Sequence, residues 1–225
     1  MIWVGLNNKL NYTLKGKTFR PSLADLRLIY KPAIRKEDWG DPTYKTYKAN
    51  IKESHYFDQG RRCSYCRLKL RTAAYWDELD HIVPQTIMGE WIFYPKNLVV
   101  SCKPCNSLKN AFDTRTNNLS NRFPLYSNGF TVFNPHFDRW ADHFEIFKGI
   151  FLRGKPGTKG PGTYSNYKLY RYHIIVGYSE ELRFRSQKTL RRLTHLLRDP
   201  SLTIKQIENI QEAIAHMVKV KKHDR

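Results

Sequence analysis

Residues 63–109 read CSYCRLKLRTAAYWDELDHIVPQTIMGEWIFYPKNLVVSCKPCNSLK and hold all four cysteines of the 225-residue chain. The cysteines fall in two Cys-x-x-Cys pairs, Cys63 with Cys66 and Cys102 with Cys105. Four soft thiolates satisfy a tetrahedral Zn²⁺ and leave no open position, so a zinc held here is structural. The 35 residues between the pairs exceed common zinc-ribbon spacing, so a sizeable element must sit between them. That insert carries Asp80, His81 and Asn97, and Asn106 and Lys109 follow directly behind the second pair.

Hydrophobic spacing places these residues on elements. Tyr44, Tyr47 and Ile51 recur at helical intervals and Gly60 supplies a stop, which predicts a helix over 44–59 leading to Cys63. Trp76, Leu79, Ile82 and Val83 ahead of Pro84 predict a strand ending near Asp80 and His81, and 97–100 a second strand. From Cys102 to Phe112 the composition is that of a turn opening a helix. The expected order is strand, strand, helix. Neighbours on a regular strand point to opposite faces, so Asp80 and His81 share a site only where the strand ends or twists sharply. Pro84 makes such an ending credible.

Phosphodiester hydrolysis needs a base for water and a hard cation to stabilise charge on phosphate and the departing oxygen. His81 suits the first role. Asp80 and Asn106 offer oxygen ligands for the second, and oxygen ligation favours Mg²⁺ or Mn²⁺ over another zinc. Taken alone, the Asp-His pair also reads as a surface aspartate beside a neutral structural histidine. Lys109 reads equally as a phosphate contact and as a solvated helix lysine.

The ordered set Cys-x-x-Cys, Asp80-His81-Ile82-Val83-Pro84, Asn97-Leu98 and Cys102-x-x-Cys105-Asn106-x-x-Lys109 resembles the HNH, or ββα-metal, endonucleases with a four-cysteine zinc site. The resemblance implies an α+β fold built on a zinc-stapled ββα core. It also implies that His81 is the general base and that Asn97 holds the hairpin and the base in position. Asp80 and Asn106 then bind the catalytic divalent cation; asparagine stands at Asn106 where the family more often has histidine. A second, weaker resemblance covers the whole chain: a helix before the first knuckle, an Asn-Pro-His-Phe-Asp stretch downstream and a helical C-terminus are similar to HNH proteins that partner an ATPase in bacterial anti-phage systems.

The bulk numbers agree with a nucleic-acid partner. A formal charge of +19, from 39 Lys and Arg against 20 Asp and Glu, is self-repulsion that a phosphate backbone relieves. With 40% apolar residues the chain can bury a core. It shows no apolar run of membrane-spanning length and no signal-peptide pattern, so the expectation is a soluble, cytoplasmic protein with no membrane partner, and the resemblance implies a prokaryote or phage as its source. In a reducing compartment, paired cysteines read as metal ligands rather than disulfides.

Four regions follow: an N-terminal extension over 1–43, the zinc-stabilised core over 44–115, an irregular accessory region with short strands or a hairpin over 116–178, and a helical hairpin over 179–225. Ser22 to Tyr30 reads as a brief helix, and the glycine-rich 153–166 segment as a mobile loop. In the C-terminal hairpin, Ser179 reads as the N-cap of the first helix, and Thr203 with Gln206 as a capping box for the second. Arg183, Arg185, Lys188, Arg191 and Arg192 on the first helix form either a solvated face or a backbone-tracking patch. The resulting expectation is a metal-dependent DNA endonuclease, with RNA left open as substrate. Its rivals are a non-catalytic zinc module that binds nucleic acid, and a partner-dependent subunit of a larger complex.

Overall fold

The computed structural model describes residues 11–15, 19–30, 34–72, 76–109, 111–147, 150–181 and 186–223. Helix α1, Leu23–Ile29, begins at a reciprocal cap: Ser22 Oγ accepts from the Asp25 N–H, and the Asp25 carboxylate accepts from the Ser22 N–H. Two 3₁₀ turns over 36–40 and 42–44 then lead into α2, Lys45–Asp58. Its spacing buries Tyr47, Ile51 and His55 on one face, and Gly60, at φ +66°, turns the chain towards the first cysteine.

Strands β1, Asp77–His81, and β2, Leu98–Cys102, pair antiparallel, with Asp77 opposite Cys102 and His81 opposite Leu98. Helix α3, Lys103–Lys109, follows β2 without a break and packs on both strands. This is the expected strand, strand, helix order, and the architecture is α+β. All five residues of β2 are buried because the small sheet is covered on both faces. Tyr47, Ile51, Phe93 and Leu98 pack together on the α2 side, while Val99 and Val100 join the cysteines and the C-terminal region in the larger core.

Helix α4, Trp140–His143, leads into a second hairpin, β3 Phe144–Phe147 with β4 Phe151–Gly154, in the segment where short strands are expected. The glycine-rich stretch after it is not a loop throughout, because residues Gly160–Asn166 form helix α5. Its glycines serve close packing: a Cβ on Gly160 would lie 2.0 Å from the His143 carbonyl oxygen, and one on Gly154 2.3 Å from the Gly160 carbonyl carbon. Helix α6, Tyr172–Glu181, absorbs the β-branched run at Ile174–Val176. Burial of Ile174, Ile175 and Tyr178 along one side overrides the local strand propensity. Ser179 therefore sits inside α6, buried, rather than capping a helix.

Helices α7, Ser186–Leu196, and α8, Ile204–His223, pack on each other as a hairpin, and α8 also packs on α6. The Thr203–Gln206 capping box forms as expected, with Gln206 N–H donating to Thr203 Oγ1 and Thr203 N–H to Gln206 Oε1. Among the described residues no helix is long and apolar enough to cross a membrane.

Candidate active site and metal centre

The two knuckles bring the four sulfurs together: all lie within 4.8 Å of one another and all four cysteines are free and buried. Cys66 Sγ and Cys102 Sγ are 3.8 Å apart. A tetrahedral ZnS₄ centre with Zn–S bonds of about 2.3 Å separates its sulfurs by about 3.8 Å, so the donor set fits zinc in both chemistry and span. Burial pushes the Cys66 thiol well up, so four ionised sulfurs at this point require a dication among them.

The surrounding groups fix the knuckles. Arg67 adopts φ +58° just after Cys66, and the Cys63 N–H donates to the Leu68 carbonyl at 2.9 Å. Tyr178 donates its hydroxyl to the Cys66 carbonyl at 2.6 Å, and Arg171 Nη2 approaches Cys105 Sγ at 3.2 Å, a charge-assisted contact suited to a thiolate. Both partners come from the C-terminal third of the chain.

Beside this centre, His81 is the last residue of β1, which removes the constraint that would separate it from Asp80. Both line one cleft of about 280 Å³ together with Trp39, Gln85, Asn106 and Lys109. His81 Nε2 is 3.0 Å from the Ile92 carbonyl. A carbonyl only accepts, so Nε2 carries the hydrogen and the Nδ1 lone pair is left for a proton. Trp39 packs edge-on against the ring at 4.3 Å. Burial, with the neighbouring Lys109 ammonium acting in the same direction, pulls the imidazole pKa down to about 3, so the ring is neutral at ordinary pH.

Asn97 is wholly buried and ties the loop after β1 to the start of β2. Its Oδ1 accepts from the Val83 N–H at 2.8 Å, and its Nδ2 donates to the Val83 and Trp91 carbonyls at 3.1 and 3.2 Å. The Ile92 carbonyl that orients His81 belongs to the same loop.

Asp80 is engaged on both oxygens: Tyr65 donates to Oδ2 at 2.7 Å, and the Lys109 ammonium donates to Oδ1 and also to the His81 carbonyl. Burial raises its carboxyl above the usual range, against the opposing pull of Lys109. Asn106 faces the cleft but binds a different carboxylate, donating from Nδ2 to Glu78 Oε2 at 2.8 Å. Asp80 and Asn106 thus line one cleft without contacting each other. The hard oxygens of Glu78, Asp80 and Asn106 match the preference of Mg²⁺ or Mn²⁺ in chemistry, and a dication at Asp80 must displace the Lys109 ammonium.

Of the expected nucleic-acid contacts, Lys109 turns inward, its side chain 4% exposed against 2% for Asp80. Arg183 and Arg185 lie outside the described residues. Lys188 and Arg192 lie on α7 with their side chains outside the description, and Arg191 is exposed on the same helix.

Sequence reasoning did not single out Glu78, Tyr65, Trp39 or Arg171. Glu78 was within reach of it, since positions i and i+2 of a strand share a face and Asp80 was already chosen. The other three touch the site only through tertiary folding.

The ββα unit, the knuckles and the cleft define a class. Residues 63–112 match the family of HNH endonucleases, so the chain carries an HNH endonuclease domain. More particularly, the chain is similar to the Septu protein PtuB of Bacillus thuringiensis, 22% identical over 178 residues. The match covers 79% of this chain and 61% of that protein, so the chain spans about three-fifths of the length of the relative.

Proposed function

We propose that this chain is a metal-dependent endonuclease that hydrolyses phosphodiester bonds in DNA and acts in anti-phage defence with an ATPase partner. The observation that carries the reading is the cleft in which His81, oriented by the Ile92 carbonyl, stands beside Asp80 and Asn106 at the end of β1. His81 takes the proton of the attacking water on Nδ1. Asn97 is a positioning residue, holding the loop that carries Ile92. Asp80 and Asn106, with Glu78 beside them, would hold Mg²⁺ or Mn²⁺, which supplies charge stabilisation at the phosphate and the leaving oxygen. The zinc on Cys63, Cys66, Cys102 and Cys105 is a scaffold. The relative's identity as a Septu protein supports the defence context, and the charge of +19 supports a polyanionic substrate.

Plasmid nicking with Mg²⁺ tests the reading. His81→Ala is expected to lower the rate by about 10²–10⁴-fold while zinc content stays unchanged. Cleavage at the unaltered rate would remove His81 from its role.

A latent form of the same enzyme is favoured by one observation: both Asp80 oxygens are already occupied by Lys109 and Tyr65. A protein inactive alone that cleaves when its partner is added would fit this form, whereas a non-catalytic zinc module would stay inactive in both conditions.

A further inference from the structure

Two hollows adjoin on the face of the loop over 89–97 that carries the anchor of His81, and Tyr30 and Tyr94 line both of them. Their volumes are about 340 and 430 Å³, within the range of about 300–1,000 Å³ that pockets for small ligands occupy. The walls are aromatic. Tyr94 packs against Phe123 at 4.6 Å, Phe123 against Trp91 at 5.2 Å, and Tyr30 is 65% exposed. Arg20, Lys96 and Arg122 line these hollows with a single acidic residue, Glu90.

Rings that stack any base, beside cations that neutralise phosphates, are the chemistry of single-stranded nucleic-acid binding. A duplex keeps its bases stacked on each other and offers this groove only phosphates. We infer that the Tyr30–Tyr94 groove binds a single-stranded segment of nucleic acid, its bases on the tyrosines and its phosphates on Arg20, Lys96 and Arg122. This inference rests on the nuclease reading, since the loop that lines the groove also carries the Ile92 carbonyl that holds His81. The groove therefore names the strand state of the substrate. Charge complementarity selects this occupant over an apolar peptide or a second copy of the chain, which itself carries +19.

The test is fluorescence anisotropy of the full chain with labelled oligo-dT, the matched oligo-rU, and a DNA duplex of the same length. No divalent cation is added, so the result does not depend on whether His81 cleaves. Tyr30→Ala is expected to weaken single-strand binding by about 5- to 150-fold, the range for one lost stacking contact, and Tyr30→Phe to restore it. Arg122→Ala is expected to weaken the same binding and lower its salt slope by about one. Duplex affinity is expected to hold in Tyr30→Ala. Loss confined to dT or to rU assigns the groove to one of these two strands and sustains the inference.

Three results would overturn it: an unchanged single-strand affinity in Tyr30→Ala, equal losses for single strand and duplex, or a change confined to self-association in sedimentation. Tyr30 is exposed, so its replacement leaves the core intact, and a circular dichroism spectrum identical to the parent's verifies this.

Discussion

Replacing Lys109 by methionine isolates the electrostatics at the centre of the cleft. Lys109 and Asp80 form an ion pair with side chains 4% and 2% exposed, so neither charge has water to fall back on. Removing one partner of a buried pair costs about 3–5 kcal/mol, because the remaining charge is left uncompensated. Lys109→Met keeps the four-atom stem and removes the ammonium with its bonds to Asp80 and the His81 carbonyl, so the protein should lose stability in that range at pH 8 by urea denaturation. Asp80→Asn combined with Lys109→Met should recover most of the loss, because no uncompensated charge is then left.

The pH dependence fixes the cause. Burial already raises the Asp80 carboxyl, and Lys109 opposes the rise. Without the ammonium, the folded state holds a proton that the unfolded state, with an aspartate pKa of about 3.9, releases. Stability then falls as pH rises between the two values, so the deficit relative to the parent shrinks towards pH 4.5 and is largest at pH 8. A deficit below about 1 kcal/mol at pH 8, or one equal at both pH values, would refute the argument.

Other perturbations have outcomes set by the same contacts. Asn97→Ala strands the buried Val83 N–H and should cost about 1–3 kcal/mol in thermal or urea unfolding, with loss of nicking from the displaced Ile92 loop. Atomic absorption should find one zinc per chain, and a strong chelator should expose four thiols to a colorimetric reagent as the cooperative unfolding transition is lost. His55 and His136 lie buried with rings 5.4 Å apart, and burial holds their pKa values at about 4 and about 3, below the unfolded value of about 6.5. Unfolded chains then bind protons that the folded state refuses, so stability is full above pH 6.5 and falls as pH drops towards 4. His81, held at about 3 by burial, refuses a third proton in the same window, so the slope reaches about 4.1 kcal/mol per pH unit. A flat urea midpoint from pH 7 to pH 4.5 would count against it.

Much of the core was legible because its signals are local. Cysteine spacing, the Asp-His pair before a proline and the run 97–100 each reach over a few residues, and the strand pairing then follows from short-range topology. The glycine-rich 153–166 stretch was misread because glycine permits both mobility and close approach. Here it is the contact between Gly154 and Gly160 that uses it. The run at Ile174–Val176, in the region where short strands are expected, is helical because burial against the core overrides the strand preference of β-branched residues. The inward turn of Lys109 was open on the sequence, which assigns a lysine one turn beyond Asn106 to solvent and to phosphate with equal ease. Its partner lies 29 residues away, on the far strand of the hairpin.

The two kinds of site are joined by covalent chemistry at one place. Cys102 closes β2, Cys105 and Asn106 lie in the first turn of α3, and Lys109 comes one turn further along the same short helix. A helix of seven residues has too little internal stability to hold its own direction. A zinc tying Cys102 and Cys105 to Cys63 and Cys66 would give α3 that direction relative to β1. Asn106 then meets Glu78, and Lys109 meets Asp80, two carboxylates on one face of β1. Loss of zinc should therefore disable the cleft with Glu78, Asp80 and Asn106 themselves unaltered. A Cys105→Ser protein that keeps part of its fold should lose the Lys109–Asp80 pair, readable as an exposed, readily acetylated Lys109 by mass spectrometry. Protection of Lys109 equal to that in the parent would show that α3 is held by its packing on β1 and β2 alone.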